Sequence, residues 1–378
     1  MAEKRKRISY ITDLALTPSG GGAYAVNWHA FNQLAERFDV RYGGPIVPRL
    51  PVIANSVSKF RRRVLGVPGT YTYFSEATLD DNARRASEYF DSADAIVFRS
   101  SGRWCHCRPP IPYFVYLDVV VRTFFNNTFS ESDFDRDDLD RIWKQEAQFL
   151  EKASGVFFES EWGMRAAIDA YGLKAEHYSV AGTGGVVLPP LADTWDGQSR
   201  TLVTMAMNFR QKGGDIVADA FCDLKPEFPN LTWNIIGGRP DPDVLSIDGV
   251  TYAGVLNPSV KADSERLASI LSNAFALVHP TREDTNPLVI AEAAYFGCPA
   301  VSVKKFAIPE LVIDGTTGIL VDAPADKASV AKAIETLLTD DARYRSMRTS
   351  ARKHALAKFQ WDAVGVKISD GITSAIGV

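Results

Sequence analysis

The strongest constraint on the fold is a regular alternation of short apolar segments with helical patterns, and it occurs twice along the chain. The first run places candidate strands at residues 8–16, 39–42, 95–98, 113–117, 156–159 and 177–180, and the second places them at 201–205, 231–236, 250–252, 275–278, 299–303 and 318–321. Strands that are separated by helices indicate parallel βαβ units. The sequence therefore predicts an α/β protein with two similar parallel sheets.

A Pro- and Asp-rich tract lies between the two runs and is interpreted as an interdomain linker. This divides the 378 residues into a first domain at 1–187, a linker at 188–200, a second domain at 201–358 and a closing segment at 359–378. Within the first domain the alternation lapses at 43–78 and 119–131. These stretches are interpreted as elaborated loops, which often carry recognition of a substrate.

The charge balance limits the classes of partner. A net charge of −4 argues against nucleic-acid binding, which needs a dominant basic surface. Basic side chains do cluster at 4–7 and at Arg61, Arg62 and Arg63. These clusters either form a solvated face or contact anionic lipid. No apolar run long enough to span a membrane occurs, so we expect a cytoplasmic protein, with peripheral attachment at the inner membrane face as the alternative.

Four scattered cysteines agree with a reducing compartment. Cys105 and Cys107 lie one residue apart without a second pair at zinc spacing. No metal site and no cofactor are therefore predicted.

The segment 279–299 concentrates polar groups at one strand-to-helix junction. An apolar strand precedes it, and a helix begins near Pro287. Such junctions, with free amides and the positive end of a helix dipole, bind phosphorylated ligands in open α/β sheets. Asp284 and Glu292 stand out here, with Glu283 beside the first. Glu292 lies among apolar helical residues, so either it is half-exposed or it has a partner such as a pair of ligand hydroxyls.

Two glycine-containing turns are suited to bind an anion, because each also lies at the start of a helix. Gly20, Gly21 and Gly22 follow the first strand and precede a helix, so their backbone could approach a phosphate, although a plain tight turn is equally consistent. In the second domain Lys212 precedes Gly213 at a helix start, which places a positive charge beside amides that we expect to be free.

These patterns resemble those of the retaining GT-B glycosyltransferases of the group 1 family. The resemblance rests on the acidic pair with seven residues between, on Glu292-Ala293 followed by Gly297-Cys298-Pro299, and on the Lys-Gly motif at Lys212. It implies two Rossmann-like domains that face each other across a cleft, and a closing helix that crosses back to the first domain. An ordinary terminal helix on the second domain is the alternative.

The resemblance also implies site residues. Asp118, Lys212 and Asp284 are assigned to catalysis, Asp118 against the alternative of a turn-forming aspartate. The donor-binding set implied is Gly20, Gly21, Gly22, Arg210, Lys212, Gly213, Val255, Leu256, Glu283, Asp284, Thr285, Asn286 and Glu292. In this set Lys212 contacts the diphosphate, Glu292 holds the ribose hydroxyls, and Asp284 or Glu283 lies against the donor sugar.

Three positions depart from the family pattern. Met207 stands where an arginine is usual, Leu117 replaces the histidine before Asp118, and Asp284-Thr285-Asn286-Pro287 replaces a glutamate followed by a Gly-Phe-Gly-like turn. The function expected is retaining, metal-independent transfer of a sugar from a nucleotide-diphosphate donor to a glycan, lipid-linked or small-molecule acceptor. An inactive nucleotide-sugar-binding scaffold, or an epimerase or phosphorylase on the same fold, is the alternative.

Overall fold

The computed structural model describes residues 5–19 and 21–377, and they form two compact units. The first unit contains the described residues up to 17, Ala23–Gly182 and the closing segment from Trp361. The second unit contains Thr183–Gln360, and residues 18, 19, 21 and 22 group with it. The closing segment thus packs with the first unit.

The first unit has one parallel sheet of six strands in the order β2-β1-β3-β4-β5-β6. The strands are β1 (Arg7–Ile11), β2 (Asp39–Gly43), β3 (Ala95–Arg99), β4 (Tyr113–Leu117), β5 (Gly155–Phe158) and β6 (Tyr178–Val180). The helices before the second unit are α1 (Gly22–Arg37), α2 (Val52–Arg63), α3 (Glu76–Ser87), α4 (Val121–Thr128), α5 (Arg136–Glu151) and α6 (Glu161–Tyr171). Every residue of β3 and β4 is buried, as expected of strands covered on both faces.

The second unit repeats this plan with the strand order β12-β11-β10-β7-β8-β9, again parallel. Its strands are β7 (Thr201–Ala206), β8 (Thr232–Gly237), β9 (Val250–Gly254), β10 (Ala274–His279), β11 (Ala300–Val303) and β12 (Gly318–Val321). Its helices are α7 (Gly214–Leu224), α8 (Pro242–Leu245), α9 (Lys261–Ser272), α10 (Leu288–Tyr295), α11 (Ile308–Leu311), α12 (Lys327–Thr339) and α13 (Asp341–Lys358). The predicted α/β class with two parallel sheets is confirmed.

The final helix, α14 (Trp361–Ile376), belongs to the first unit. Its buried face includes Val364, Ile368 and Ile372. The ring of Trp361 stacks on His29 of α1 with centroids 5.0 Å apart, and Arg37 pairs with Asp370 at 2.6 Å.

Each sheet has one point where the strand order reverses. In the first sheet it lies between β1 and β3, and in the second it lies between β7 and β10. Crevices at the carboxyl ends of strands at such switch points are where open α/β sheets bind ligands. The topology therefore marks one candidate position in each unit.

The two stretches interpreted as loops are partly helical, so that expectation is wrong for α2 and α4. In α2 an apolar stripe is present but faces solvent, and α4 is only eight residues long. The tract 188–200, expected as a linker, packs within the second unit. There Arg348 pairs with Asp193 at 2.6 Å, and the ring of Trp195 lies 5.1 Å from that of Tyr344.

Candidate functional site

In the second unit, the predicted phosphate-binding lysine meets the predicted sugar-binding aspartate at the switch point. Lys212 follows β7 and Asp284 follows β10, and Lys212 Nζ lies 2.7 Å from Asp284 Oδ2. Their side chains are 20% and 25% exposed, so the pair is sheltered but still reachable by a ligand. Two residues 72 positions apart are brought together because β7 and β10 are neighbours in the sheet.

His279, the last residue of β10, lies beneath this pair. Its Nε2 atom is 3.5 Å from Asp284 Oδ2, and its side chain is only 1% exposed. Burial acts to raise the pKa of Asp284, but the nearby imidazole of His279 and the positive charge of Lys212 outweigh it. The pKa of Asp284 is therefore held below its usual value, and this carboxylate is ionised at neutral pH.

The turn that presents Lys212 depends on Gly213. Gly213 has a φ of +81° and precedes the first residue of α7, and a Cβ atom there would lie 2.3 Å from the carbonyl oxygen of Pro280. The glycine is thus required by the backbone and by the close approach of the β10 loop. The expectation of free amides is wrong, since Gly213 N donates to Arg210 O at 3.0 Å and Gly214 N donates to Phe209 O at 2.9 Å. The side chain of Lys212, and not these amides, supplies the positive charge.

The remaining charged residues of these loops are held in ion pairs or hydrogen bonds at the rim. Arg210 pairs with Asp241 at 2.5 Å, which directs its guanidinium toward the loop after β8. Glu283 Oε2 accepts a hydrogen bond from Gln211 Nε2 at 2.6 Å, and Arg282 pairs with Asp215 at 2.8 Å. Of the two acids that could face a sugar, Asp284 is the one beside Lys212.

Asn286 adds a polar group that has no protein partner in the described part of the chain. Its Nδ2 atom is buried and has no hydrogen-bond acceptor there. Thr285, just before it, accepts a hydrogen bond from Ala307 N at 3.0 Å through its carbonyl oxygen. A buried amide without a partner is costly, so Asn286 is suited to meet a ligand.

Glu292 is buried in α10, with 5% of its surface exposed. Its Oε1 atom accepts a hydrogen bond from Val186 N at 2.8 Å. Burial raises the pKa of this carboxyl, while backbone hydrogen bonds from Val186 and Val187 counteract that effect. The partner that the sequence argument required is thus supplied at least in part by the backbone of 186–187, and contact with ribose hydroxyls stays a prediction.

The other predicted donor residues lie on loops or, for Gly22, at the first position of α1. Val255 is 58% exposed after β9 and Leu256 is half-buried. Gly21 has a φ of +95° with open space around it, and Gly22 is exposed at the start of α1. Gly20 lies outside the described residues.

The first unit has a cavity of about 550 Å³ at its own switch point. Asp118, which follows β4, lines it together with Asp13 after β1 and Arg103 after β3. Asp13 and Arg103 form an ion pair at 3.1 Å. Arg99 also lines the cavity, which thus combines two carboxylates and two guanidinium groups that suit hydroxyl-bearing or anionic ligands.

Aromatic side chains form much of the remaining wall of this cavity. They are Tyr71, Tyr73, Phe74, Phe124 and Phe129. Phe124 and Phe129 are 47% and 37% exposed, whereas Phe125 between them is fully buried. Phe125 therefore anchors the loop, while Phe124 and Phe129 face the cavity.

Glu146 of α5 holds the rear of the cavity in place. It accepts hydrogen bonds from Val121 N at 2.8 Å, from the hydroxyl of Ser101 and from the hydroxyl of Tyr171. Ser101 and Val121 both line the cavity, so the carboxyl group of Glu146 ties the loop after β3 to the start of α4.

Sequence reasoning missed Asp13 and the polar run after β3. The chain reads Arg99-Ser100-Ser101-Gly102-Arg103 from the last residue of the buried strand β3 onward. Ser100 adopts a φ of +67°, and Arg99 pairs with Glu159 at 2.5 Å. The rule applied to 279–286, that polar residues at the carboxyl end of a buried strand form a site, would have found this run.

Two features are absent from the described residues, a metal-binding cluster and a helix that could cross a membrane. Nowhere in 5–19 or 21–377 do three or more His, Cys, Asp or Glu side chains gather in a way that could hold a metal ion. Among the helices of that same part of the chain, none is both long and apolar enough to cross a membrane.

The sequence of the second unit is similar to that of a known protein family. Residues 199–340 match the family model for glycosyl transferases group 1. A GDP-mannose-dependent alpha-(1-6)-phosphatidylinositol monomannoside mannosyltransferase of Mycolicibacterium smegmatis is 28% identical over 183 residues, which are 46% of this chain and 48% of that protein. A D-inositol 3-phosphate glycosyltransferase of Corynebacterium kroppenstedtii is 26% identical over 61% of this chain and 55% of its own length. The chain thus spans about half the length of these relatives.

Solved structures extend the similarity of fold to nearly the whole chain. Sucrose-phosphate synthase from Thermosynechococcus elongatus superposes with a TM-score of 0.71 at 18% identity, covering 98% of this chain and 99% of that one. The HepE protein of Anabaena in complex with UDP-glucose superposes with a TM-score of 0.67 at 18% identity, covering 98% and 100%. The predicted GT-B fold is confirmed.

Proposed function

We propose that this protein is a glycosyltransferase that uses a nucleotide-diphosphate sugar, because residues 199–340 match the family model for glycosyl transferases group 1 and the chain has the GT-B fold. The observation that carries the proposal is the contact between Lys212 and Asp284 at the switch point of the family-matched domain. The names of the similar proteins support a nucleotide-sugar donor, because one is GDP-mannose-dependent and another was solved with UDP-glucose.

The roles of the donor-side residues follow from their charge and position. Lys212 stabilises the negative charge that grows on the leaving diphosphate, which is electrostatic catalysis. Asp284 lies against hydroxyls of the donor sugar, and Asn286 donates its amide protons to the donor. Glu292 holds the ribose hydroxyls through the part of its carboxylate that the backbone of 186–187 leaves available.

When the donor binds, its diphosphate competes with Asp284 for Lys212. The ammonium group then lies between two anionic partners and neutralises both in part. We propose retention at the anomeric carbon, in which the leaving phosphate assists the incoming hydroxyl on the same face. No side chain is assigned as nucleophile.

The acceptor binds in the cavity of the first unit. Asp118 and Asp13 accept hydrogen bonds from acceptor hydroxyls, and the aromatic wall packs on the apolar face of a sugar or on an apolar aglycone. A glycan, a lipid-linked acceptor and a small molecule all fit this description. Transfer is proposed to proceed without a metal, with Lys212 in place of a cation.

The proposal is tested first by nucleotide binding. UDP, GDP, ADP and their common sugars are titrated by calorimetry into the wild type, Glu292→Ala and Lys212→Ala. We expect one nucleotide to bind, and both substitutions to weaken it by about 1.4 kcal/mol or more, a factor of ten. Absence of binding by every nucleotide would remove the proposed function.

Activity assays then distinguish a glycosyltransferase from the alternative functions. Transfer to an acceptor, or slow donor hydrolysis, eliminates an inactive scaffold, and the products distinguish a transferase from an epimerase or phosphorylase. The anomeric configuration of the first product, read by proton NMR, tests retention. Loss of activity with a chelator that is restored by Mn²⁺ would contradict metal independence.

A further inference from the structure

Helix α2 is amphipathic in the reverse of the usual sense, because its polar side faces the protein. Thr72 Oγ1 donates to Asn55 Oδ1 at 3.1 Å, and Ser58 Oγ donates to the carbonyl oxygen of Thr70 at 2.7 Å. Farther along the same side, the guanidinium of Arg62 lies 4.4 Å from the centre of the Phe134 ring. These contacts fix which face of α2 points outward.

The outward face is apolar. Ile53, Val57, Phe60 and Val64 follow one another at spacings of four, three and four residues, which places them in one stripe along the helix. Their exposed fractions are 81%, 52%, 53% and 64%. A stripe of this kind is normally buried in a globular protein, and a contiguous exposed one marks an interaction surface.

Basic side chains flank this stripe. α2 contains Lys59, Arg61, Arg62 and Arg63 and no acidic residue, and no acidic residue occurs between Asp39 and Glu76. In the described part of the chain, neither Lys59 nor Arg63 forms an ion pair. The positive charge is therefore local and uncompensated in a chain whose net charge is −4.

We propose that α2 is a docking surface for a membrane with anionic headgroups. The helix lies parallel to the membrane plane, with its apolar stripe at the boundary between headgroups and acyl chains and with Lys59, Arg61 and Arg63 among the phosphates. Charge disfavours a second copy of this chain as the occupant, because a symmetric contact would bring two sets of basic residues face to face. The inference does not depend on the proposed sugar transfer.

Flotation of the full-length protein with vesicles tests the proposal. The vesicles are phosphatidylcholine alone or phosphatidylcholine mixed with phosphatidylglycerol. We expect flotation with the mixed vesicles only, and a decrease as NaCl is raised, because the headgroup contacts are screened by salt.

Two pairs of substitutions separate the apolar from the electrostatic contribution. Ile53→Ser with Phe60→Ser removes the centre of the stripe and should lower the vesicle partition coefficient at least about tenfold. Lys59→Gln with Arg63→Gln should lower it about fivefold for each charge and flatten its salt dependence. All four side chains are exposed, so we expect unchanged melting temperatures.

Matched controls come from the second unit. Leu191→Ser replaces a fully exposed leucine and Lys261→Gln replaces a lysine that is 90% exposed, and neither should change flotation. The proposal is overturned if the wild type does not float with the mixed vesicles, or if the control substitutions reduce flotation as much as the α2 substitutions do. It is also overturned if the wild type is a dimer that Ile53→Ser with Phe60→Ser converts to a monomer, because a second copy would then be the occupant.

Discussion

Among individual residues, Lys212 has the largest predicted effect on activity, because it is the cation next to the carboxylate assigned to the donor sugar. Lys212→Ala removes the charge that stabilises the leaving diphosphate and leaves the sheltered Asp284 without its partner at 2.7 Å. Loss of one electrostatic group of this kind lowers kcat by about 10²–10³-fold. Steady-state kinetics with the donor identified by calorimetry provides the measurement.

The control for this substitution is Lys332→Ala, which removes an exposed lysine paired with Glu335 on α12. It should leave kcat and KM unchanged. A kcat for Lys212→Ala within a factor of a few of the wild type would show that this lysine has no part in the chemistry.

A second single residue, Glu146, should make the free energy of unfolding depend on pH. Burial raises the pKa of its carboxyl from 4.5 to about 7, although Ser101, Tyr171 and the amide of Val121 donate hydrogen bonds to it. The native state therefore favours the protonated form, and the stability that this provides is complete below about pH 4.5 and is lost as the pH rises through 7. The loss reaches at most about 3 kcal/mol.

Urea denaturation between pH 5 and pH 8 tests this prediction, with Glu146→Gln as the variant. The amide stays neutral, so the free energy of unfolding of Glu146→Gln should fall less with pH than that of the wild type. Glu151→Gln, an exposed glutamate on the same helix, should follow the wild type. Parallel pH profiles for the wild type and Glu146→Gln would mean that Glu146 is ionised in the native state.

Among structural elements, the turn from β7 into α7 positions Lys212, and its geometry depends on one glycine. Gly213 and Gly254 both have a φ of +81°, but only at Gly213 would a Cβ atom meet another backbone segment, the carbonyl of Pro280 at 2.3 Å. Gly254→Ala should cost about 1–2 kcal/mol from the left-handed conformation alone. Gly213→Ala should cost more than this, because the β10 loop must also move.

Chemical denaturation of the two variants gives the comparison, and the nucleotide affinity of Gly213→Ala shows whether Lys212 has moved with the turn. Equal destabilisation by the two substitutions would indicate that the close approach to Pro280 is easily relieved. In that case the turn would not constrain Lys212.

The sequence predicted the strands better than it predicted the site contacts. Segments such as 113–117 and 318–321 were placed at their observed bounds, because strands buried on both faces are continuous apolar runs. α2 was missed because its apolar stripe lies in a Pro- and Gly-bearing region and has no buried partner. The bond between Glu292 and the backbone at 186 joins residues 106 positions apart, and no local pattern encodes such a contact.

The whole molecule is two units with separate hydrophobic cores, and the first unit is completed only by the last helix of the chain. Ile372 of α14 is fully buried in that unit, whereas Leu271 of α9 is fully buried in the second. If the two cores unfold separately, calorimetry should show two transitions. Ile372→Ala should then lower the midpoint temperature for the first unit, and Leu271→Ala should lower that for the second unit. Each substitution should cost about 2–5 kcal/mol.

Val366→Ala provides the control on α14, because Val366 is 41% exposed on the same helix and should shift neither transition by much. The outcome matters for the proposed glycosyltransferase, since each unit is proposed to supply one substrate site. Should Ile372→Ala and Leu271→Ala instead lower a single common transition, the two units unfold as one cooperative body. The closing helix would then stabilise the donor-side unit as well as the acceptor-side unit, and core substitutions in either unit would weaken nucleotide binding near the melting temperature.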